Sequence, residues 1–199
     1  MSTHELANEQ RLVLGPDDHG RIVSDAEFDA AYFSEPWTYE RIKGKLIVMS
    51  PDGQEHIDAS EPWNDRLVGY KLSHPEIVQT VKAEAWMRIE GGTDRIADIG
   101  VYLVTDRPVP RIPERIPDLV FEALSPGREA WKRDFVEKRA DYHRLGVREY
   151  VVIDRFEQQV TVFTHTPRGY DERVLNLGDV YTSPLFPALA IPLADVLPS

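Results

Sequence analysis

The run Ile96 to Val104 is apolar almost throughout, and such a run predicts a central strand covered on both faces. A strand of that kind needs packing above and below it. A second short apolar run, Leu119 to Leu124, is ended by Ser125-Pro126-Gly127. Ahead of both, Val81, Ala83, Ala85, Met87 and Ile89 alternate with Lys82, Glu84, Trp86, Arg88 and Glu90, which predicts a half-buried strand leading into a Gly91-Gly92 turn. The stretch 105–118 carries four prolines and is expected to be irregular.

The remaining segments supply the covering layers. Ser24, followed three residues later by Glu27, is a capping box and opens a short helix expected to reach about Phe33. Trp37 to Ser50 reads as a hairpin about Lys43-Gly44. A helix is expected from about Gln54 to Leu72, kinked or restarted at Pro62. Another should run from about Arg128 to Leu145 and stop at Gly146. Glu149–Asp154, Gln159–His165 and Tyr170–Leu175 read as a meander, and the apolar tail from Tyr181 to Pro198 as a closure of the core. The order predicts an α/β fold (α+β by some conventions), a mixed central β-sheet flanked by helices. Residues 1–20, polar and holding Gly15, Pro16 and Gly20, read as a flexible N-terminal arm, and 21–199 as a single domain.

Net charge narrows the function classes. At −11, with a sequence pI near 5.0, the chain does not coat nucleic acid by bulk electrostatics. A local basic patch remains open: Arg128 to Arg144 holds six basic and four acidic residues, and Arg107, Arg111 and Arg115 lie in the proline-rich stretch. Ordinary surface charge explains that pattern equally well. No run of about 18 apolar residues exists, so no membrane span is expected. The opening MSTHELANEQRLVL lacks the character of a signal peptide, and there is no cysteine; both fit a cytoplasmic setting. No G-x-S-x-G, P-loop, Rossmann glycine pattern or zinc-ligand spacing occurs.

Three charged residues break the apolar pattern. Asp98 sits inside RIADIGVYLV and Glu122 inside DLVFEALS. A carboxylate on a doubly covered strand needs a cation, a hydrogen-bond network or a raised pKa, unless it stands at a strand end facing solvent. On the helix after Glu122, at 100° per residue, Trp131, Phe135, Tyr142 and Leu145 define a core stripe. Lys138 falls within about 20° of its centre and Asp134 about 60° away, at its edge. A lysine there either snorkels to solvent or meets a buried acid. Because only a short turn joins the helix to the strand of Glu122, the helix can pack back and present Lys138 to the carboxylates. Two acids that hold Mg²⁺ and a lysine that orients water are the parts of metal-assisted phosphodiester hydrolysis.

With those residues in view, the chain resembles the Uma-type putative restriction endonuclease family, a branch of the PD-(D/E)XK nuclease superfamily. The resemblance runs from about Tyr39 to Leu197, through YERIKGKLIVMSP, EH at 55–56, RIADIGVYLV, PDLVFEALSP, RDFVEKRADYHRLGVREYVVID and SPLFPALAIPLADVL. It implies a restriction-endonuclease-like fold, a Mg²⁺ (or Mn²⁺) cofactor, DNA as substrate and a homodimer. It gives Asp98 and Glu122 as metal-binding carboxylates, places the E-x-K lysine on the helix as Lys138, since Leu124 stands two beyond Glu122, and makes Glu40 an outer ligand or water-positioning group. His56 also matches. Lys45 stands where the family pattern has a glutamate, and Ala97 where a proline usually precedes the aspartate. The function implied is a metal-dependent endonuclease hydrolysing DNA phosphodiester bonds. Acidic net charge and Lys45 argue for the alternative, a catalytically inactive nuclease-fold binding or assembly module, and Asp98, Glu122 and Lys138 argue against it; a third reading is a metal-dependent hydrolase of another phosphoester.

Overall fold

The computed structural model describes residues 11–197. Where the sequence reads one domain over 21–199, contacts gather into two compact units: the chain up to Pro51 with Glu90–Asp94, and Asp52–Ile89 with Arg95 onward. In the first unit β1 (Val13–Leu14) pairs in parallel with β2 (Tyr32–Phe33). Over 11–20, half of the arm read from sequence, the chain therefore carries ordered elements and buries Leu14; residues 1–10 lie outside the described residues. Helix α1 (Asp25–Ala30) opens on the expected capping box, with the Ser24 N–H donating to Glu27 Oε2 at 2.8 Å and the Glu27 N–H to Ser24 Oγ at 3.2 Å. It ends short of Phe33 because residues 32–33 are taken up by the pairing with β1. Strands β3 (Thr38–Ile42) and β4 (Lys45–Met49) form the expected hairpin. Its turn residues Lys43 and Gly44 both have positive φ, 52° and 81°, the left-handed geometry that suits a two-residue hairpin loop.

The second unit begins with α2 (Gln54–Ser73), which buries Ala59, Trp63, Leu67 and Tyr70 along one face. It runs through Pro62 without a break, where the sequence predicts a kink or restart. Strand β5 (Val78–Ile89) leads to β6 (Thr93–Leu103), whose first two residues belong to the first unit. The alternation of β5 holds at Ala85, Met87 and Ile89. It fails upstream: Ala83 and Glu84 are both exposed and Glu84 has φ 49°, a local break of the bulge kind. Strand β7 (Leu119–Ala123) is buried at every residue. A helical crossover follows: α3 (Arg128–Lys132), one π-helical stretch (Arg133–Lys138) and α4 (Arg139–Leu145), stopped by Gly146 at φ 80°. Then come β8 (Glu149–Asp154), β9 (Gln159–Thr166) and β10 (Gly169–Asn176). The strand order is β10-β9-β8-β7-β6, with β5 also on β6. β7 and β8 are parallel and the other registered pairs antiparallel, so the sheet is mixed as expected.

Both faces of this sheet are covered. Leu119 and Phe121 of β7 meet Trp63 and Leu67 of α2, together with Tyr181, Phe186, Ile191, Leu193 and Val196 of the tail, which does close the core. Val120 points the other way, into a cluster with Tyr142 of α4, Tyr150, Val152 and Phe163. By alternation Glu122 shares the face of Val120 and looks toward the crossover helix. No helix among the described residues is long and apolar enough to cross a membrane.

Strands β5 and β6 approach closely at Gly100. A Cβ built there would stand 2.4 Å from the Ala85 Cβ. Gly100→Ala is expected to destabilise the protein by about 1–3 kcal/mol through overpacking. Urea unfolding measures this, and Ala85→Gly in the same chain should recover part of the loss; an unchanged midpoint for Gly100→Ala would show that the strands part freely here.

Candidate active site

Glu122 lies near the end of β7, is 2% exposed, and meets two donors from the crossover helix. The Lys138 Nζ donates to Glu122 Oε1 at 2.8 Å and to the Ile96 carbonyl at 3.1 Å. The Tyr142 hydroxyl donates to the same Oε1 at 2.6 Å. Asp98 comes from the neighbouring strand. The antiparallel ladder pairs Ile99 with Phe121, so Asp98 falls beside the last residues of β7, and the Ala123 N–H donates to Asp98 Oδ2 at 2.6 Å. From the first turn of α2, His56 places Nε2 3.1 Å from the same Oδ2. The ring carries charge toward Asp98 only when protonated, and among the described residues its Nδ1 has no hydrogen-bond partner. Asp52 stands 3.8 Å from the ring.

The residues singled out from sequence fall in both units. Asp98, Glu122 and Lys138 converge in the second unit. Glu40 lies on β3 of the first unit, fully buried. Lys45 opens β4, also in the first unit, as an exposed residue bridged to Ile22. Lys138 is 4% exposed as the angular reading requires, but the stripe that carries it differs. Trp131 is 49% exposed, and the buried positions are Ala130, Asp134, Lys138 and Tyr142, each four apart. In a pure α-helix three steps of four drift by about 120°. The π-helical stretch widens the turn across 133–138 and keeps the series on one face. Sequence reasoning missed Tyr142 as a hydroxyl donor and Asp134 as a fully buried acid. Both sit four residues from Lys138, and that spacing on one face was the available signal.

The charges set the two carboxyls apart. Burial pushes the Glu122 carboxyl up to about 8; Lys138 opposes the rise, and the charges of Asp98 and Asp134 add to it. Burial also pushes Asp98 upward, but His56, Lys138 and the Ala123 N–H outweigh it and hold the carboxyl below its ordinary value. Burial lowers the His56 pKa, and the opposing pull of Asp98, Asp52 and Glu122 leaves it raised. Asp98 is thereby favoured as a carboxylate while Glu122 is biased toward its protonated form, a division that suits acid–base and ion-binding work.

Whether these residues suit a divalent cation can be judged from their donor atoms. Among the described residues no three His, Cys, Asp or Glu side chains form a ready cage. Mg²⁺ seldom uses one: it takes one or two carboxylates, several waters and a substrate phosphate. Asp98 Oδ1 and Glu122 Oε2 stand outside the hydrogen bonds just described, which all fall on Oδ2 and Oε1. Two hard oxygen donors with a lysine beside them fit that mode.

Comparison with known proteins agrees with the fold. A family model, Uma2, described as "putative restriction endonuclease", matches residues 25–194. The chain also superposes on a crystal structure from Anabaena variabilis ATCC 29413, described as a "putative nuclease belonging to DUF820", with a TM-score of 0.66 and 18% identity. The match covers 86% of this chain and 96% of the other. Among curated proteins none matches.

Proposed function

The chain belongs to the Uma2 family of restriction-endonuclease-like proteins, and from that premise we propose that it is a metal-dependent endonuclease that hydrolyses DNA phosphodiester bonds at Asp98, Glu122 and Lys138. The observation that carries the reading is the buried contact of 2.8 Å between Lys138 Nζ and Glu122 Oε1, beside the Asp98 carboxylate. Asp98 and Glu122 would hold Mg²⁺ or Mn²⁺, and when bound that ion supplies Lewis-acid stabilisation of charge on the phosphoryl oxygens. Lys138 donates toward the same point and is placed to orient the attacking water and to offset negative charge as the water oxygen bonds to phosphorus and the P–O ester bond breaks. Tyr142 donates to one oxygen of the Glu122 carboxyl, and the other oxygen would be the one to take the ion. His56 steadies Asp98 as an anion. A duplex has two strands and one chain supplies one acid pair, which is the support for a homodimer; a DNA substrate is the support for a cytoplasmic setting.

Metal binding should be visible in the stability of the fold. The fold favours protonated Glu122, because its pKa is raised in the native state. From the ordinary carboxylate range up to about 8, the metal-free protein therefore loses stability as pH rises. A cation needs the carboxylate and competes with that proton, so its affinity should climb up to about tenfold per pH unit and flatten above about pH 8. Millimolar Mg²⁺ or Mn²⁺ is accordingly expected to raise the melting temperature, more at about pH 8.5 than at about pH 6. Asp98→Asn with Glu122→Gln should abolish both the increase and its pH dependence. A melting temperature indifferent to either ion at both pH values would favour a non-catalytic module on the same scaffold.

A further inference from the structure

Beside the acids lies an ion pair that the proposed chemistry does not use. Arg155 follows β8, the parallel neighbour of β7. Ile153 is in register with Ala123, so Arg155 sits two residues beyond the level of the Glu122–Ala123 end. Its partner is Glu55, next to the His56 that touches Asp98, with Arg155 Nη2 2.9 Å from Glu55 Oε2. The two side chains are unlike: Arg155 is 13% exposed and Glu55 80% exposed. The guanidinium also lies over the Phe156 ring at 4.6 Å, which holds its plane. Its Nε–H is buried and has no acceptor.

An arginine presents Nε–H and Nη2–H as one edge of a planar fork, matched to an anion with two oxygens side by side. Glu55 satisfies half of that edge and leaves Nε–H empty. Its carboxylate is held from a solvent-exposed position, by a single contact. The fork is thus built for a bidentate oxyanion and is guarded by an exchangeable one. Its position just past the end of β8, two residues beyond the level of Ala123 and joined through Glu55 to the turn of His56, is where a phosphate adjacent to the one being cut would pass.

We propose that Arg155 is a phosphate-positioning residue, that its Nε and Nη2 take a DNA backbone phosphate in place of Glu55, and that Glu55 is a competitor for the fork which leaves when the substrate arrives. This rests on the DNA-cleaving reading of the acid site. The two residues then have opposite effects on binding. Removing the fork weakens it, and removing the competitor strengthens it, whereas a purely structural ion pair loses stability from either side.

The test is fluorescence anisotropy of a labelled DNA duplex in EDTA, with the full chain, as a function of salt. Arg155→Lys keeps the charge but not the fork and should weaken binding about tenfold. Arg155→Met should weaken it further and lower the slope of log affinity against log salt by about 1. Glu55→Gln, on an exposed side chain that the fold does not need, should tighten binding several-fold. Circular dichroism establishes that each variant is folded. If Glu55→Gln leaves affinity unchanged or reduces it while the wild type binds DNA, the positioning role is overturned and the nuclease reading stands. A second probe separates the two ideas from the other side. Inorganic phosphate that raises the wild-type melting temperature, but not that of Arg155→Lys, while no DNA binds, supports the oxyanion fork and overturns its place in a nuclease. Absence of both effects overturns both.

Discussion

Lys138→Met is expected to reduce metal-dependent cleavage of supercoiled plasmid by about 10²- to 10³-fold, the range for loss of one preorganised electrostatic donor at a reacting centre. Lys132→Met should cut as the wild type does. The contrast is one of position. Lys138 is 4% exposed with its ammonium on Glu122, while Lys132 has a side chain 57% exposed and its ammonium 3.4 Å from Glu137. Methionine keeps the apolar stem that packs along the crossover helix, so the change removes mainly the charge. Breaking a buried pair ordinarily costs several kcal/mol because a bare charge is left behind. Here the carboxyl left behind has a ready escape. Its pKa is already raised, and losing Lys138 raises it further, so Glu122 takes up a proton and still accepts from Tyr142. The variant should therefore remain folded with a lowered melting temperature, and Glu122→Gln in the same chain should restore part of that loss. Equal cutting by wild type and Lys138→Met would falsify the assignment of the lysine. A wild type that cuts nothing with either ion would instead favour the inactive module, with Lys45 the first residue to revert to glutamate.

The acid site was legible in sequence because charge inside an apolar strand is costly and so rarely incidental. Asp98 and Glu122 announce themselves against Ile96–Val104 and Leu119–Leu124, and Lys138 against the apolar positions of its helix. The route to Lys138 was only partly sound. An ideal α-helix put Trp131 at the centre of the stripe, yet Trp131 is half exposed and Asp134 is buried. What displaced them is a shift of backbone hydrogen bonding over 133–138, and no residue in RDFVEK signals such a shift as a proline or glycine signals a break. The break in β5 at Ala83 and Glu84 escaped for the same reason: the hydrophobic alternation continues through it while the backbone does not. The pairing of His56 with Asp98 could not be read from local pattern. His56 and Asp98 are 42 positions apart, and nothing local to an EH dipeptide says which strand its ring will meet. Pairs inside one helix are different: Tyr142 lies four residues after Lys138, on a face already assigned to the core, and only its hydroxyl went unread.

Arg41→Met is expected to cause the largest loss of stability of any single substitution considered, about 3–5 kcal/mol. Arg41 is 1% exposed and belongs to the first unit. Its Nε donates to Asp94 Oδ2 at 2.9 Å, its Nη1 to the Val23 carbonyl at 3.2 Å, and its guanidinium meets Asp25 and Asp94 at 2.7 Å each. The Phe28 ring lies 4.9 Å below it. One side chain thereby ties the capped helix α1 and the hairpin strand β3 to the start of β6, 53 residues away in sequence. Methionine replaces the volume along the stem and none of the donors. Asp94, fully buried, would lose the guanidinium that neutralises it, and the Val23 carbonyl a donor. Asp25 is a rim partner, 69% exposed, so Asp25→Asn should cost under about 1 kcal/mol. Asp94→Asn beside Arg41→Met removes the buried charge that has lost Arg41 and should return part of the loss, with a coupling energy of opposite sign to the sum of the single effects. Urea unfolding of the wild type, the three single variants and the double variant measures all of this. Arg41→Met within about 1 kcal/mol of wild type would mean that packing on Phe28, and not the buried charge, holds the first unit together.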